Sequence, residues 1–324
     1  MILRFLRAVL VAVFAAVLIL WLFGPREPVV TEVSFDPMTL GDDLDVYLAA
    51  AESGFDDLVE GAEKQIVWAA EPGVSTAFSI IYIHGFSASA GEMRPMPDMV
   101  ADAIGANIYY TRLSGHGRDG EAMAEALVED WFLDMAEALA IGRAIGERVI
   151  VMSTSTGGTI SALAALDDAA MNDVAGMVFL SPNFQIKNPM AALLTLPGVR
   201  WWGPLVAGQE RCFEPQSEMH ERIWTNCYPT VATIPMAALV RHARMQDYSQ
   251  ADTPALWIYS RDDQVVDAAA SDRFAATWGG PSEVVQPNLS GEFDPAEHVI
   301  AGDAVSPSMS GPIAEIITGW VLSL

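Results

Sequence analysis

The sequence predicts an α/β fold: a mostly parallel, doubly wound sheet with an inserted segment, preceded by one transmembrane helix. Three observations predict it. From residue 65 onward, short apolar runs typical of buried strands alternate with helical patterns, and such alternation specifies a parallel sheet with helices on both faces. Residues 183–252 interrupt the alternation with several prolines and bulky aromatics, so we expect an insertion over one end of the sheet. An apolar segment that is uncharged over residues 8–25 lies close to the N-terminus.

The N-terminal segment, residues 1–24, is predicted to be a membrane anchor. Residues 8–25 carry no charge and, with Ile2–Leu6, are about long enough to span a bilayer. Arg4 and Arg7 precede this run, so the positive-inside rule places the N-terminus in the cytoplasm and the rest in a periplasmic or other extracytoplasmic space. A cleaved signal peptide is the alternative, although apolar sequence would continue beyond its small-residue cleavage site.

The remaining elements follow in order along the chain. Residues 25–40 are proline-rich and lack a periodic pattern, which predicts a linker to a domain over residues 41–324. The predicted strands are 65–69, 77–83, 106–113, 148–152, 174–180, 255–259 and 283–285. The predicted helices are 42–52, 121–146 with a break near Gly142, 159–167, 267–278 and 312–324.

Charge and cysteine content restrict the partners. The net charge of −25 repels nucleic acid, so no nucleic-acid partner is expected. No CxxC motif or paired Cys/His spacing indicates a metal site, and no cofactor is expected. Cys212 and Cys227, the two cysteines, share the inserted segment. A disulfide between them is favoured in an oxidising compartment, with two separate thiols as the alternative. Nothing in the sequence indicates an oligomeric state.

The junction at residues 148–158 is the strongest candidate for a catalytic site. An apolar strand ends in the small residues Ser153–Gly158, and a helical pattern follows at once. Small residues allow a strand to turn this sharply into a helix. The residue at the bend lies above a helix N-terminus, whose free N–H groups and dipole stabilise an oxyanion. That residue is Ser155, which we predict to be a nucleophile.

A nucleophilic serine needs a base and an acid that orients the base. His298 follows the last predicted strand, and Asp262 and Asp263 directly follow strand 255–259. The carboxyl ends of parallel strands meet at one sheet edge, so Ser155, an aspartate and His298 are expected together there. The four other histidines receive structural interpretations: His84 and His116 as loop organisers bonded to nearby backbone, and His220 and His242 as surface residues of the insertion.

These residues resemble motifs of a known family. Ser153–Gly157 resembles the G-x-S-x-G nucleophile elbow with Ser at the first position, and His84–Phe86 resembles an HG oxyanion loop. Leu113–Gly117 resembles the loop after the next strand. Over residues 40–324 the chain thus resembles the α/β-hydrolase fold of serine esterases and lipases, such as carboxylesterases and monoacylglycerol lipases.

The resemblance implies site roles. The backbone N–H groups of Phe86 and Thr156 would hold the oxyanion, and Asp263 fits the family's spacing for the acid better than Asp262. The segment 183–252 would form a lid.

The implied activity is hydrolysis of carboxylic esters through Ser155, His298 and Asp263, with an acyl-enzyme and without cofactor or metal. Aromatic and aliphatic residues in the lid suggest a small-molecule ester with an apolar or lipid-like acyl group; the substrate-binding residues are undefined. The alternatives are a thioesterase or peptidase of the same fold, or a membrane-anchored binding protein without turnover.

A second stretch matches the elbow pattern. Ser87–Gly91 also reads S-x-S-x-G after a strand. Ser89 lies five residues beyond His84, however, which is too far for a tight elbow. Ser89-x-x-Glu92 is typical of a helix capping box, so we predict that Ser89 caps a helix.

Overall fold

A computed structural model describes residues 2–324. The strands are β1 (Gln65–Val67), β2 (Thr76–Ile83), β3 (Asn107–Tyr110), β4 (Gly146–Thr154), β5 (Val174–Leu180), β6 (Glu210–Cys212), β7 (Cys227–Pro229), β8 (Ala255–Ile258) and β9 (Ser282–Val285). The helices are α1 (Ile2–Phe23), α2 (Leu44–Glu52), α3 (Met96–Ile104), α4 (Gly120–Glu125), α5 (Val128–Ile145), α6 (Ser155–Ala164), α7 (Val199–Ala207), α8 (Glu218–Ile223), α9 (Thr233–Ala243), α10 (Ala268–Thr277) and α11 (Ser310–Val321).

The predicted α/β architecture is confirmed. Through the described residues runs a seven-stranded sheet in the order β1-β3-β2-β4-β5-β8-β9. Edge strand β1 pairs antiparallel with β3, and every other neighbouring pair is parallel. The carboxyl ends of β2, β4, β5 and β8 therefore meet at one edge, where the loops that follow them can form a site.

Two apolar cores cover the two faces of the sheet. Successive side chains of a strand point to opposite faces, so Ile81 and Ile83 of β2 join one core and Ile80 and Tyr82 the other. Residues of α5, α6, α9 and α10 complete the first core, and residues of α3 and α11 complete the second. The near-continuous apolar sequence of the central strands follows from this burial on both faces.

The long helix predicted over 121–146 is two helices. The break lies between α4 and α5, where Ala126 and Leu127 adopt extended backbone conformations, and the predicted break near Gly142 is wrong. A Cβ on Gly142 would lie 2.8 Å from the Ile81 side chain. This glycine therefore allows α5 to pack closely on the sheet and does not interrupt the helix.

The segment 183–252 forms a cap and a returning helix. The cap contains a 3₁₀ helix (Pro189–Thr195), α7, α8 and the separate antiparallel ribbon β6–β7. Cys212 and Cys227 face each other across that ribbon and form a disulfide. Helix α9, by contrast, contributes Leu239 and Val240 to the first core. The part of the segment that covers the sheet edge therefore ends before α9.

Helix α1 is separate from both cores. None of its described residues is buried, and its mean hydropathy of 2.7 and its length are sufficient for a membrane span. It is a candidate anchor, and a signal sequence has the same properties.

Candidate active site

The turn from β4 into α6 places Ser155 at the sheet edge. Strand β4 ends at Thr154 and α6 begins at Ser155, whose backbone has a φ of +49°. Such a conformation is strained for a residue other than glycine and is found at functional sites. A Cβ on Gly157 would lie 2.2 Å from the carbonyl oxygen of Ile83. Only glycine therefore lets the start of α6 approach the end of β2 this closely.

A chain of hydrogen bonds joins the three predicted site residues. The Ser155 Oγ lies 3.0 Å from His298 Nε2, and His298 Nδ1 lies 2.7 Å from Asp263 Oδ2. The other oxygen of Asp263 accepts the N–H groups of Val265 at 2.7 Å and Val266 at 2.9 Å, which fixes the carboxylate. Asp263 is buried and Asp262 is exposed. The structure thus brings Ser155, Asp263 and His298 together and leaves Asp262 outside.

The surroundings of His298 favour its protonated form. Burial lowers the pKa of its imidazole, but the charge and hydrogen bond of Asp263 and the charges of Asp294 and Glu92 together raise the pKa above its ordinary value. Asp294 lies close by and accepts the backbone N–H of His298 at 3.2 Å. A proton taken from Ser155 would therefore be stabilised on this ring.

Two backbone N–H groups are available beside Ser155. Phe86 and Thr156 both line the same cavity as Ser155. Thr156 lies in the first turn of α6, where N–H groups have no partner within the helix. The N–H of Phe86 has no acceptor among residues 2–324. Two unpaired donors next to a hydroxyl form a suitable pocket for an oxyanion.

His84 and His116 organise the loops behind this pocket, as predicted. His84 Nε2 accepts the N–H of Leu113 at 3.0 Å, and its Nδ1 lies 2.9 Å from the Gly85 oxygen. His116 Nδ1 lies 3.1 Å from the Ser114 oxygen. Burial lowers the pKa of both imidazoles, to about 4 for His116. Both rings are therefore neutral at pH 7.

Glu92 supports the site, and the predicted capping box is wrong. Ser89 makes no side-chain capping hydrogen bond. The Glu92 carboxylate instead accepts the N–H of Gly85 at 2.6 Å and the hydroxyl of Tyr82 at 2.9 Å. Glu92 is 2% exposed, and this burial raises its pKa to about 7. In the sequence, Glu92 is marked only by the S-x-x-E pattern. That pattern gives no indication that Glu92 holds the loop that carries Phe86.

A cavity of about 740 Å³ opens from Ser155 and His298 beneath the cap. Most of its lining is apolar, and its polar lining includes Asn183, Arg211, Glu214, Gln216 and Asp294. Cavities of this size and character accept small organic molecules. His220 also lines the cavity and packs on Trp224 with ring centroids 4.5 Å apart. His220 is buried, so the prediction of a surface role is wrong.

Possible metal ligands cluster at one place within residues 2–324, at Glu210, Cys212 and Cys227. The two thiols of that group are joined in the disulfide. They are therefore not available as thiolate ligands.

A family model agrees with this architecture. The model described as serine aminopeptidase, S33, matches residues 75–286, more than half of the chain. The chain belongs to this family. The match runs from β2 through β9 and includes Ser155 and Asp263. The predicted resemblance to α/β-hydrolases is thereby confirmed. The sequence matches no curated protein.

Solved structures share the fold. A structure described for the metagenome-derived lipolytic enzymes LipS and LipT is 21% identical, with a TM-score of 0.65, and the alignment covers 82% of this chain and 100% of that one. The monoacylglycerol lipase of Paleococcus ferrophilus is 16% identical, with a TM-score of 0.57 and coverage of 80% and 98%. A soluble variant of monoglyceride lipase from Saccharomyces cerevisiae is 14% identical, with a TM-score of 0.56 and coverage of 81% and 92%. At these identities the likeness establishes the α/β-hydrolase fold.

Proposed function

We propose that the chain hydrolyses carboxylic esters through a Ser155–His298–Asp263 triad. The observation that carries this proposal is the hydrogen-bond chain from Ser155 Oγ to His298 at 3.0 Å and from His298 to Asp263 at 2.7 Å. Ser155 and His298 line a largely apolar cavity, beside two free N–H groups. A nucleophile, a base, an orienting acid and oxyanion donors are the groups that acyl transfer requires.

The reaction has two halves. Ser155 Oγ attacks the ester carbonyl carbon while His298 Nε2 takes its proton, and the N–H groups of Phe86 and Thr156 stabilise the oxyanion. The imidazolium, held by Asp263, returns the proton to the leaving alcohol, which leaves an acyl group on Ser155. His298 then takes a proton from water, whose oxygen attacks the acyl carbonyl carbon. The bond from that carbon to Ser155 Oγ breaks, His298 returns the proton to Oγ, and the acid is released. The residues perform each proton transfer themselves.

The lining of the cavity supports the proposed class of substrate. Leu193, Leu194 and Trp202 contribute to its mostly apolar wall, which suits an apolar or lipid-like acyl chain. Two proteins of similar structure, a monoacylglycerol lipase and a monoglyceride lipase, are consistent with such a substrate. We further propose that residues 1–24 anchor the protein as a single pass, with residues 25–40 as linker and residues 41–324 outside the cytoplasm.

An aminopeptidase is the second candidate, because the family model carries that description. An aminopeptidase must bind an α-ammonium group, and the acidic side chains at the cavity are Glu214 and Asp294. The Asp294 carboxylate already accepts hydrogen bonds from Gln216 and from the backbone N–H groups of Ala296, His298 and Val299. Since its acceptors are occupied, Asp294 is poorly placed to bind an α-ammonium group. The exposed Glu214 is the remaining carboxylate for such a contact.

A substrate panel tests the proposal. Full-length protein in detergent is assayed with p-nitrophenyl esters and monoacylglycerols of increasing acyl length and with aminoacyl p-nitroanilides. We expect ester hydrolysis to increase from acetate to medium chains as the acyl group fills the apolar cavity. Preferential cleavage of the anilides would favour the aminopeptidase. An absence of turnover together with an absence of labelling by a fluorophosphonate would favour a binding protein.

The pH dependence of hydrolysis should report on His298. The base must be neutral to accept a proton, and the net effect of its surroundings raises the pKa of His298. Activity should therefore fall on acidification through a pKa above the ordinary histidine value of about 6.5. Measuring kcat/KM between pH 5 and pH 9 tests this. The variant Glu92→Gln loses one of the negative charges that raise the pKa of His298. Its loss of activity on acidification should therefore occur at lower pH than in wild type. An unchanged pH profile would exclude an effect of Glu92 on the pKa of His298.

A further inference from the structure

The linker after α1 is attached to the cap. The N–H of Gly198 donates to the Pro25 oxygen at 2.7 Å, and the guanidinium of Arg26 donates to the Thr195 oxygen at 3.0 Å. Arg200 forms a two-pronged ion pair with Glu27 at 2.6 and 2.7 Å. The Glu27 side chain is 4% exposed. The end of α1 and the start of α7 are therefore held in one fixed junction.

The helix itself reaches this junction. A Cβ on Gly24 would lie 2.8 Å from the Pro197 side chain, and a Cβ on Gly198 would lie 2.8 Å from the side chain of Leu20. Glycine at both positions lets the last turn of α1 approach the cap closely. The last turn of α1 and the start of α7 therefore lie at the same height relative to a bilayer that α1 crosses.

The outer face of α7 is apolar and uncovered. Trp201 is 66% exposed and Leu205 is 78% exposed, and residues four apart lie on the same side of a helix. Val206 and Met190, also exposed, continue this face into the wall of the cavity. Residues 188–209 contain no acidic residue, although the chain has a net charge of −25. This segment therefore lacks the negative charge that opposes contact with an anionic membrane surface, and its single cation, Arg200, is paired with Glu27.

We propose that this face, residues 188–207, docks on the surface of the bilayer that α1 crosses, with Trp201 and Leu205 in its interfacial region. The inference rests on the anchoring of α1 proposed above and, for the substrate, on the proposed ester hydrolysis. Tryptophan is a preferred residue of that interface. The fixed junction keeps the cavity rim, at Val206 and Met190, against the lipid. The site thus takes an ester with its acyl chain directly from the membrane.

Depth-dependent quenching tests the docking. Full-length Leu205→Cys protein, labelled with an environment-sensitive maleimide fluorophore, is reconstituted into phosphatidylcholine vesicles with or without doxyl-labelled lipid. The matched control is Val74→Cys, 54% exposed and located before the amino end of β2, at the edge of the sheet away from the cap. Quenching at position 205 should exceed that at position 74 by about threefold or more, as expected for an interfacial helix. Equal quenching in protein that floats with the vesicles would overturn the proposal.

A kinetic comparison separates this proposal from the esterase assignment. The substitution Leu205→Glu places a charge on the docking face. Residue 205 is not part of the cavity lining, so the substitution leaves the cavity unchanged. Hydrolysis of monoolein in phosphatidylcholine vesicles should fall by about tenfold, the scale expected for a charge in the apolar part of an interface. Hydrolysis of soluble p-nitrophenyl acetate should be unchanged. Equal rates on vesicles would contradict the docking, whereas wild-type protein inactive on both esters would contradict the esterase assignment alone.

Discussion

Replacement of Ser155 by alanine is expected to lower kcat for ester hydrolysis by a factor on the order of 10⁶, the scale seen when a serine hydrolase loses its nucleophile. Without Ser155 Oγ no acyl-enzyme forms, while the free N–H groups of Phe86 and Thr156 are retained. The measurement is kcat on a p-nitrophenyl ester, with fluorophosphonate labelling as a second readout. Folding should be little changed, because alanine keeps the Cβ atom of serine and removes only the hydroxyl group.

The matched control is Ser89→Ala. Ser89 is the central serine of the second S-x-S-x-G stretch, and like Ser155 it is buried. It makes no capping hydrogen bond and lies outside the cavity lining. The control should keep wild-type labelling. Labelling that survives in Ser155→Ala and disappears in Ser89→Ala would show that the nucleophile is misassigned.

Asp263→Asn should lower kcat by about 10⁴-fold, the effect of the same change in a serine protease triad. The Asp263 oxygen that accepts the N–H groups of Val265 and Val266 requires an acceptor. The amide oxygen of asparagine would take that place, and its NH₂ group would then face His298 Nδ1. Nδ1 would have to accept this bond, so the ring proton would move to Nε2, where it prevents His298 from accepting the proton of Ser155.

Asp262→Asn is the control for this prediction. Asp262 has the same side chain one residue earlier, but it is exposed and is not bonded to His298. Its kcat should remain near that of wild type, and both variants should unfold at similar temperatures. A larger loss in Asp262→Asn than in Asp263→Asn would show that the wrong aspartate has been assigned.

The arrangement of the site could be predicted from the sequence because it depends on strand ends. Ser155, Asp263 and His298 each follow an apolar run, and parallel topology brings the ends of such runs to one edge. The continuous apolar sequence Val174–Leu180 predicted β5 with its observed bounds. Small residues around Ser155 predicted the sharp turn. Local sequence patterns were sufficient to predict site residues that the parallel sheet itself brings close together.

A local sequence pattern gave the wrong prediction where a partner outside that pattern decides the role of a residue. Gly142 resembles a helix breaker, but its neighbours Ile81 and Val149 on the sheet require a small residue there. Glu92 resembles the end of a capping box, but its partners are Tyr82 and Gly85, which lie seven to ten residues earlier and outside the four residues of that motif. The junction of α1 with the cap likewise joins segments that lie far apart in the chain. No periodicity within a single segment contains this information.

The hydrogen bond from Ser155 to His298 spans 143 positions of the chain, and the one from His298 to Asp263 spans 35. Contacts of such large sequence separation form slowly, because the entropy of loop closure opposes them before they become favourable. Helices and individual strand pairs can form while the loop that carries His298 is still undocked. When the unfolded chain refolds, secondary structure should therefore return before hydrolytic competence. The return of hydrolytic activity then reports the last step of folding. It does not report when the sheet begins to form.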